Sequence, residues 1–120
     1  MKHEFGLIGY PLSHSFSRKF FTNKFESEEI NAEYLNFELE DISRLPHIIV
    51  SHPDLLGINV TIPYKEEVMK FLDFIDEEAA RIQAVNTIKI LRSGHKITLH
   101  GYNTDIHGFQ ESIKPLIQII

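Results

Sequence analysis

A chain of 120 residues, 42% hydrophobic and 24% charged, holds enough apolar side chains for one compact core, which excludes a disordered or low-complexity protein. A net charge of −5, with lysine and arginine dispersed, argues against a nucleic-acid surface, and no apolar run reaches the roughly 18 to 20 residues of a membrane span. With no cysteine, a disulfide framework, a thiolate nucleophile and a cysteine metal cage are excluded, and the first residues lack a signal-peptide pattern, so a cytoplasmic protein is expected.

Residues 5 to 9, FGLIG, predict a short buried strand that stops at Gly9-Tyr10-Pro11. Phe16, Phe20, Phe21 and Phe25 recur at helical spacing, which starts a helix near Ser15 or Ser17. YLNFELE sets Leu35, Phe37 and Leu39 against Asn36, Glu38 and Glu40, the period of a strand with one wet face. Asp41 can cap a short helix carrying Ile42, Leu45, Ile48 and Ile49, closed by Pro53. GINVTIP is a second compact apolar strand, broken by Pro63. That proline suits the first turn of a helix, because its missing N–H would be unpaired there, and Val68, Phe71, Leu72 and Ile75 give the helix an inward face.

DEEAARIQ predicts a further helix with an acidic first turn. AVNTIKIL and KITLHGYN read as two strands joined by a hairpin turn at RSGH. Ile106, Phe109, Ile113 and Ile117 form a helical stripe from Thr104 or Asp105 onward, kinked or broken at Pro115. Strands alternating with helices imply a three-layer α-β-α domain around a mainly parallel mixed sheet that includes one antiparallel hairpin.

In open parallel sheets ligands sit beyond the carboxyl ends of the strands. Those ends carry a short polar set: Ser15 and Ser17 after the first strand, Thr61 and Lys65 after GINV, and Asn103, Thr104 and Asp105 after ITLHGY. Asn86 lies inside a predicted strand, where an amide is a poor β-former. Each residue has an ordinary structural role: the serines and Asp105 as helix caps, Thr61 as a β-branched strand residue, Lys65 as a solvated lysine, Asn86 as a buried amide satisfying backbone. A lysine in the first turn of a helix would, however, oppose the helix dipole. Taken one at a time the structural roles win; three strand ends delivering hydroxyls, an amine and a carboxylate to one rim make a functional reading competitive with them.

Other chemistries fit poorly. Gly6 and Gly9 do not make G-x-G-x-x-G, and Pro11 removes an N–H that a phosphate would use. Seven histidines show neither H-E-x-x-H nor tight pairing, so no metal site is expected. No G-x-S-x-G elbow supports a hydrolase triad around Ser15.

Four stretches, GYPLSHSFS (9 to 17), GINVTIPYKE (57 to 66), AVNTI (84 to 88) and GYNTDIHGF (101 to 109), together resemble the N-terminal substrate-binding domain of the shikimate dehydrogenase family, in the family's order and spacing. The resemblance spans essentially all of residues 1–120. It implies reversible, NADPH-dependent reduction of 3-dehydroshikimate to shikimate, in the pathway to aromatic amino acids. It further implies that Ser15 and Ser17 hydrogen-bond the substrate carboxylate, that Thr61, Asn86 and Asp105 contact its ring oxygens, and that Lys65, paired with Asp105, is the catalytic acid/base. Hydride addition to a ring ketone develops negative charge on oxygen, which a positioned ammonium stabilises and protonates. A helix N-terminus would lower the Lys65 pKa while Asp105 would raise it.

Two departures stand out. Arg18 occupies the place where the family usually has proline, adding a cation near the expected carboxylate site. The NADP-binding Rossmann domain is absent from these residues, so NADP(H) is expected to bind elsewhere, no metal is expected, and the isolated chain is expected to be inactive. LIQII at 116–120 would then begin the connection to a second domain, or support self-association as a homodimer. A quinate/shikimate dehydrogenase of broader specificity and a non-catalytic shikimate-binding module are the alternatives. The Lys65 and Asp105 pair argues against the module, since binding alone needs no acid/base.

Overall fold

The computed structural model describes residues 2–12 and 16–104, the side chains of Phe16 and Ser17 excepted. The elements run β1 (His3–Gly9), α1 (Phe16–Ser27), β2 (Ala32–Glu38), a 3-10 turn (Ile42–Arg44), α2 (Leu45–Ser51), β3 (Leu55–Val60), a 3-10 helix (Glu67–Phe71), β4 (Phe74–Ile75), α3 (Glu77–Ile82), β5 (Thr87–Ser93) and β6 (Lys96–Tyr102). The six strands form one sheet in the order β2-β1-β3-β5-β6-β4. β1 pairs parallel with both β2 and β3, and β4 pairs parallel with β6; β5 alone runs against its neighbours, β3 and β6. The expected mixed, mainly parallel sheet with one hairpin is therefore what forms.

Both faces of the sheet are covered, as an apolar central strand requires. Phe5 and Leu7 of β1 pack with Phe21 and Phe25 of α1 and with Tyr34 of β2. Tyr34 stacks on Phe21 at 5.0 Å between ring centroids. On the other face Ile8, Ile58, Val60, Ile88 and Ile90 meet Leu45, Ile48 and Ile49 of α2, Val68 of the 3-10 helix and Ala79 of α3. The result is one aromatic layer and one aliphatic layer, with the sheet between them.

The local chemistry explains most boundaries. Asp41 accepts from the Ser43 N–H at 2.9 Å and caps the turn ahead of α2, as expected. That backbone hydrogen bond, which only the carboxylate accepts well, holds its pKa below the ordinary 3.8. Pro46 sits in the first turn of α2, and Asp76 caps α3 through the Glu78 N–H. Gly94, with φ 62°, makes the two-residue hairpin loop that joins Ser93 to Lys96.

Three expectations change. The helix predicted from Pro63 does not form. The Ile62–Pro63 peptide is cis, Tyr64 closes a turn back to the Thr61 carbonyl at 3.1 Å, and helical geometry begins only at Glu67. Ile75, expected on that helix, lies in β4, pairing with Gly101. The second face of β2, expected to be wet, is partly covered because α1 lies over it: Tyr34 is buried and Asn36 half-buried. The helix predicted after Thr104 lies outside the described residues. Among the described residues no helix is long and apolar enough to cross a membrane.

Candidate functional site

Of the predicted polar residues, the register brings Thr61, Asn86, Asn103 and Thr104 to one rim. Thr61, one residue past β3, donates its N–H to the Ile8 carbonyl near the end of β1 (2.9 Å). Asn59 of β3 pairs with Thr87, and Thr87 pairs with Tyr102, so the end of β3, the start of β5 and the end of β6 lie side by side. Asn86 thus stands just before β5 and not inside it. Because β5 is antiparallel, its beginning falls on the rim where the other strands end.

The β1–β3 half of this rim is built on main chain. Tyr10 donates its N–H to the Ile62 carbonyl at 3.1 Å, and Leu39 donates to the Gly9 carbonyl at 3.0 Å. The Tyr64 hydroxyl, almost fully buried, donates to the Leu39 carbonyl at 2.5 Å. Burial first, and then the acidic neighbours Asp41, Glu67 and Glu40, push the Tyr64 phenol up and keep it the neutral donor. Gly9 has no room for a side chain: a Cβ there would run into the Thr61 methyl and come within 2.9 Å of the Ile62 carbonyl oxygen. Glu38, at the end of β2, accepts the Leu12 N–H at 2.6 Å and so anchors the loop that leads to the serines.

The β5–β6 half is held by side chains. Asn86 Nδ2 donates to the Thr104 carbonyl at 2.5 Å, and Asn86 Oδ1 accepts the Thr104 N–H at 2.8 Å. The Thr87 hydroxyl donates to the same Oδ1 at 3.0 Å. Asn103 Nδ2 donates to the Ala84 carbonyl at 3.0 Å.

Lys65 is exposed, in the loop between the Thr61 turn and the 3-10 helix, and its carbonyl accepts the Val85 N–H at 2.8 Å. No helix begins at Pro63, so the expected conflict between a lysine and a helix dipole does not arise. Thr61 is half-buried on the rim. Ser17 lies in the first turn of α1, with the exposed Arg18 next to it. Ser15 and Asp105 lie outside the described residues, and with them the Lys65–Asp105 pairing.

Sequence reasoning missed Glu38, Asn59 and Thr87. Asn59 interrupts the apolar run of β3, and its Oδ1 accepts the Tyr34 hydroxyl at 2.7 Å, which leaves its amide nitrogen for other partners. That interruption was the same kind of signal that singled out Asn86. Nothing in the sequence marks Glu38, an acid among other acids.

In this layered α/β domain Thr61, Asn86 and Asn103, with the Lys65 loop beside them, stand at one strand-end rim, the edge where open parallel sheets carry their ligands. The family model for the shikimate dehydrogenase substrate-binding domain matches residues 7–88, and the chain belongs to that family. A shikimate dehydrogenase (NADP(+)) of Syntrophomonas wolfei is 45% identical over 111 residues, covering 91% of this chain and 37% of the relative. The crystal structure of shikimate dehydrogenase 1 from Peptoclostridium difficile superposes with TM-score 0.75 at 47% identity, covering 98% of this chain and 42% of that one. The Thermus thermophilus enzyme, solved in complex with shikimate, is 32% identical with TM-score 0.74, covering 94% and 42%. The chain therefore spans about two fifths of the length of such relatives.

The described residues do not fit a dinucleotide. β1 ends in a cis Tyr10–Pro11 turn, where proline offers no N–H, and not in a glycine-rich loop opening a helix.

Proposed function

We propose that this chain is the substrate-holding part of an NADPH-dependent shikimate dehydrogenase, which reversibly reduces 3-dehydroshikimate to shikimate. The convergence of Thr61, Asn86 and the Lys65 loop on one rim, in a member of this family, carries the reading. NADPH supplies the hydride when bound by a part of the protein beyond these residues.

The chain's own groups divide the remaining work. Ser17, in the first turn of α1, and Ser15, two positions before it in the chain, hold the carboxylate, and a helix start suits an anion. Thr61, Asn86 and Asp105 hold the ring oxygens. The Lys65 ammonium stabilises charge developing on the carbonyl oxygen and gives it a proton; in reverse, the neutral amine takes the proton from the alcohol. Asp105, paired with Lys65, keeps the amine oriented. The family's biosynthetic chemistry implies a cytoplasmic place, and the apolar residues 116–120 support self-association as a homodimer.

Titrating the chain with millimolar shikimate while following its amide signals tests the site. Shifts confined to Ser15, Ser17, Thr61, Asn86 and Thr104 are expected, with quinate as the second arm to measure selectivity. No movement at any of them would overturn the reading. Equal affinity for quinate would favour the broader-specificity enzyme.

A further inference from the structure

We propose that Asn86 and Asn103, together with Thr87, form a reciprocal amide lock that fixes the main chain of residues 103–104 and makes Asn86 a pure hydrogen-bond donor toward a ligand. The lock itself is read from hydrogen bonds alone; its consequence for shikimate rests on the function proposed above.

The two segments 84–87 and 102–104 lie where an antiparallel pair opens out at the rim. Asn86 donates its N–H to the Tyr102 carbonyl at 3.0 Å, and beyond that point the regular ladder ends. Past the ladder, each segment sends an asparagine onto the other's backbone. Asn86 grips both the N–H and the C=O of Thr104, and Asn103 grips the C=O of Ala84. A primary amide can copy a missing backbone pairing in this way, since it offers a donor and an acceptor side by side. The amide orientation is fixed by its partners: flipped, it would set nitrogen against the Thr104 N–H and oxygen against the Thr104 C=O.

Thr87 completes the arrangement. It is 1% exposed, and its hydroxyl gives Asn86 Oδ1 a second donor. Oδ1 is then spent, and so is one Nδ2–H. Among the described residues the second Nδ2–H meets no acceptor, so a bound molecule can meet Asn86 only as an acceptor, through a hydroxyl or carbonyl oxygen. The same segment also seats the Lys65 loop, through the Val85 N–H on the Lys65 carbonyl. Residue 104, which directly precedes Asp105 in the chain, and the main chain of Lys65 are thus referenced to one locked segment. Thr87 and Asn103 are positioning residues.

Hydrogen exchange on the full chain, read at the Thr104 amide, tests the lock. Thr87→Val keeps the shape and removes the hydroxyl; Thr87→Ser keeps the hydroxyl; Asn103→Ala cuts the reciprocal bond and serves as the second probe should Thr87→Val fold poorly. In Thr87→Val and Asn103→Ala we expect Thr104 to exchange roughly tenfold faster relative to the amides of β1, with Thr87→Ser close to the parent. Thr104 exchange at the parent rate in both Thr87→Val and Asn103→Ala would overturn the lock. In the second arm, shikimate affinity should fall about fivefold in Thr87→Val and recover in Thr87→Ser. Faster exchange with unchanged affinity would overturn the ligand-facing role of Asn86. Should the parent chain itself bind no shikimate, the function proposed above fails while the exchange arm still decides the lock.

Discussion

The two halves of the rim are held by different means. Where β1, β2 and β3 run parallel, the chain leaving each strand stays close to its neighbour, and main chain bonds to main chain: Thr61 to Ile8, Tyr10 to Ile62, Leu39 to Gly9. Such proximity is possible only because Gly9 has no side chain. Where β5 turns against β6, the segments diverge at the rim and side-chain amides must reach across the gap. The first half should therefore be sensitive to volume, and the second to donor and acceptor pattern.

Gly9→Ala should have the largest effect. The new Cβ meets the Thr61 methyl and a backbone carbonyl, and the carbonyl cannot swing aside, so a loss of about 3 kcal/mol in urea unfolding is expected. A loss under about 0.5 kcal/mol would show that the rim can open there, and would erase the contrast.

Asn86→Asp comes next, at about 2 kcal/mol near neutral pH, because it sets a carboxylate oxygen against the Thr104 carbonyl. This repulsion raises the folded-state pKa of the new acid, so its protonated form, able to donate to that carbonyl, is the favoured one. The deficit should be smallest below the ordinary aspartate pKa of about 4 and grow as pH rises through the raised value. Thermal melts of variant and parent at several pH values read this directly, and a deficit independent of pH would point to steric disruption instead.

Tyr64→Phe, on the main-chain half, should cost about 1 kcal/mol by orphaning the Leu39 carbonyl. The parent has a second signature. Its folded phenol pKa is raised above the ordinary 10.0, so the unfolded chain releases this proton first and stability falls as pH climbs past 10. The Phe variant should lose that part of the slope. Glu38→Gln should have the smallest effect, a few tenths of a kcal/mol, since the amide oxygen can still accept from Leu12 and only the charge is lost. Faster exchange of the Leu12 amide with little change in melting temperature is the expected result; a large drop in melting temperature would mean the serine loop is held by charge.

Much of the fold was legible. FGLIG read as a short buried strand because it is apolar throughout, and RSGH read as a turn because glycine admits the positive φ found at Gly94. The strand-end positions of Thr61, Asn103 and Thr104 were also readable, because each follows directly on a recognisable strand. The helix start at Pro63 was misplaced for a physical reason. Proline at a helix N-terminus and proline after a cis peptide look alike in sequence, and only the bonds of Tyr10 and Tyr64 to their neighbours choose between them.

By itself the sequence determined the class of the fold, the membership signalled by four motifs, and the residue types able to hold a small polar acid. Tertiary structure alone decided how Asn86 is used. Its amide could have pointed to a ligand, to solvent or to backbone, and hydrogen-bond partners separated by 18 positions in the chain set that choice. The reason is general: local pattern fixes which face a residue presents, whereas hydrogen-bond commitment depends on what distant segment arrives opposite it.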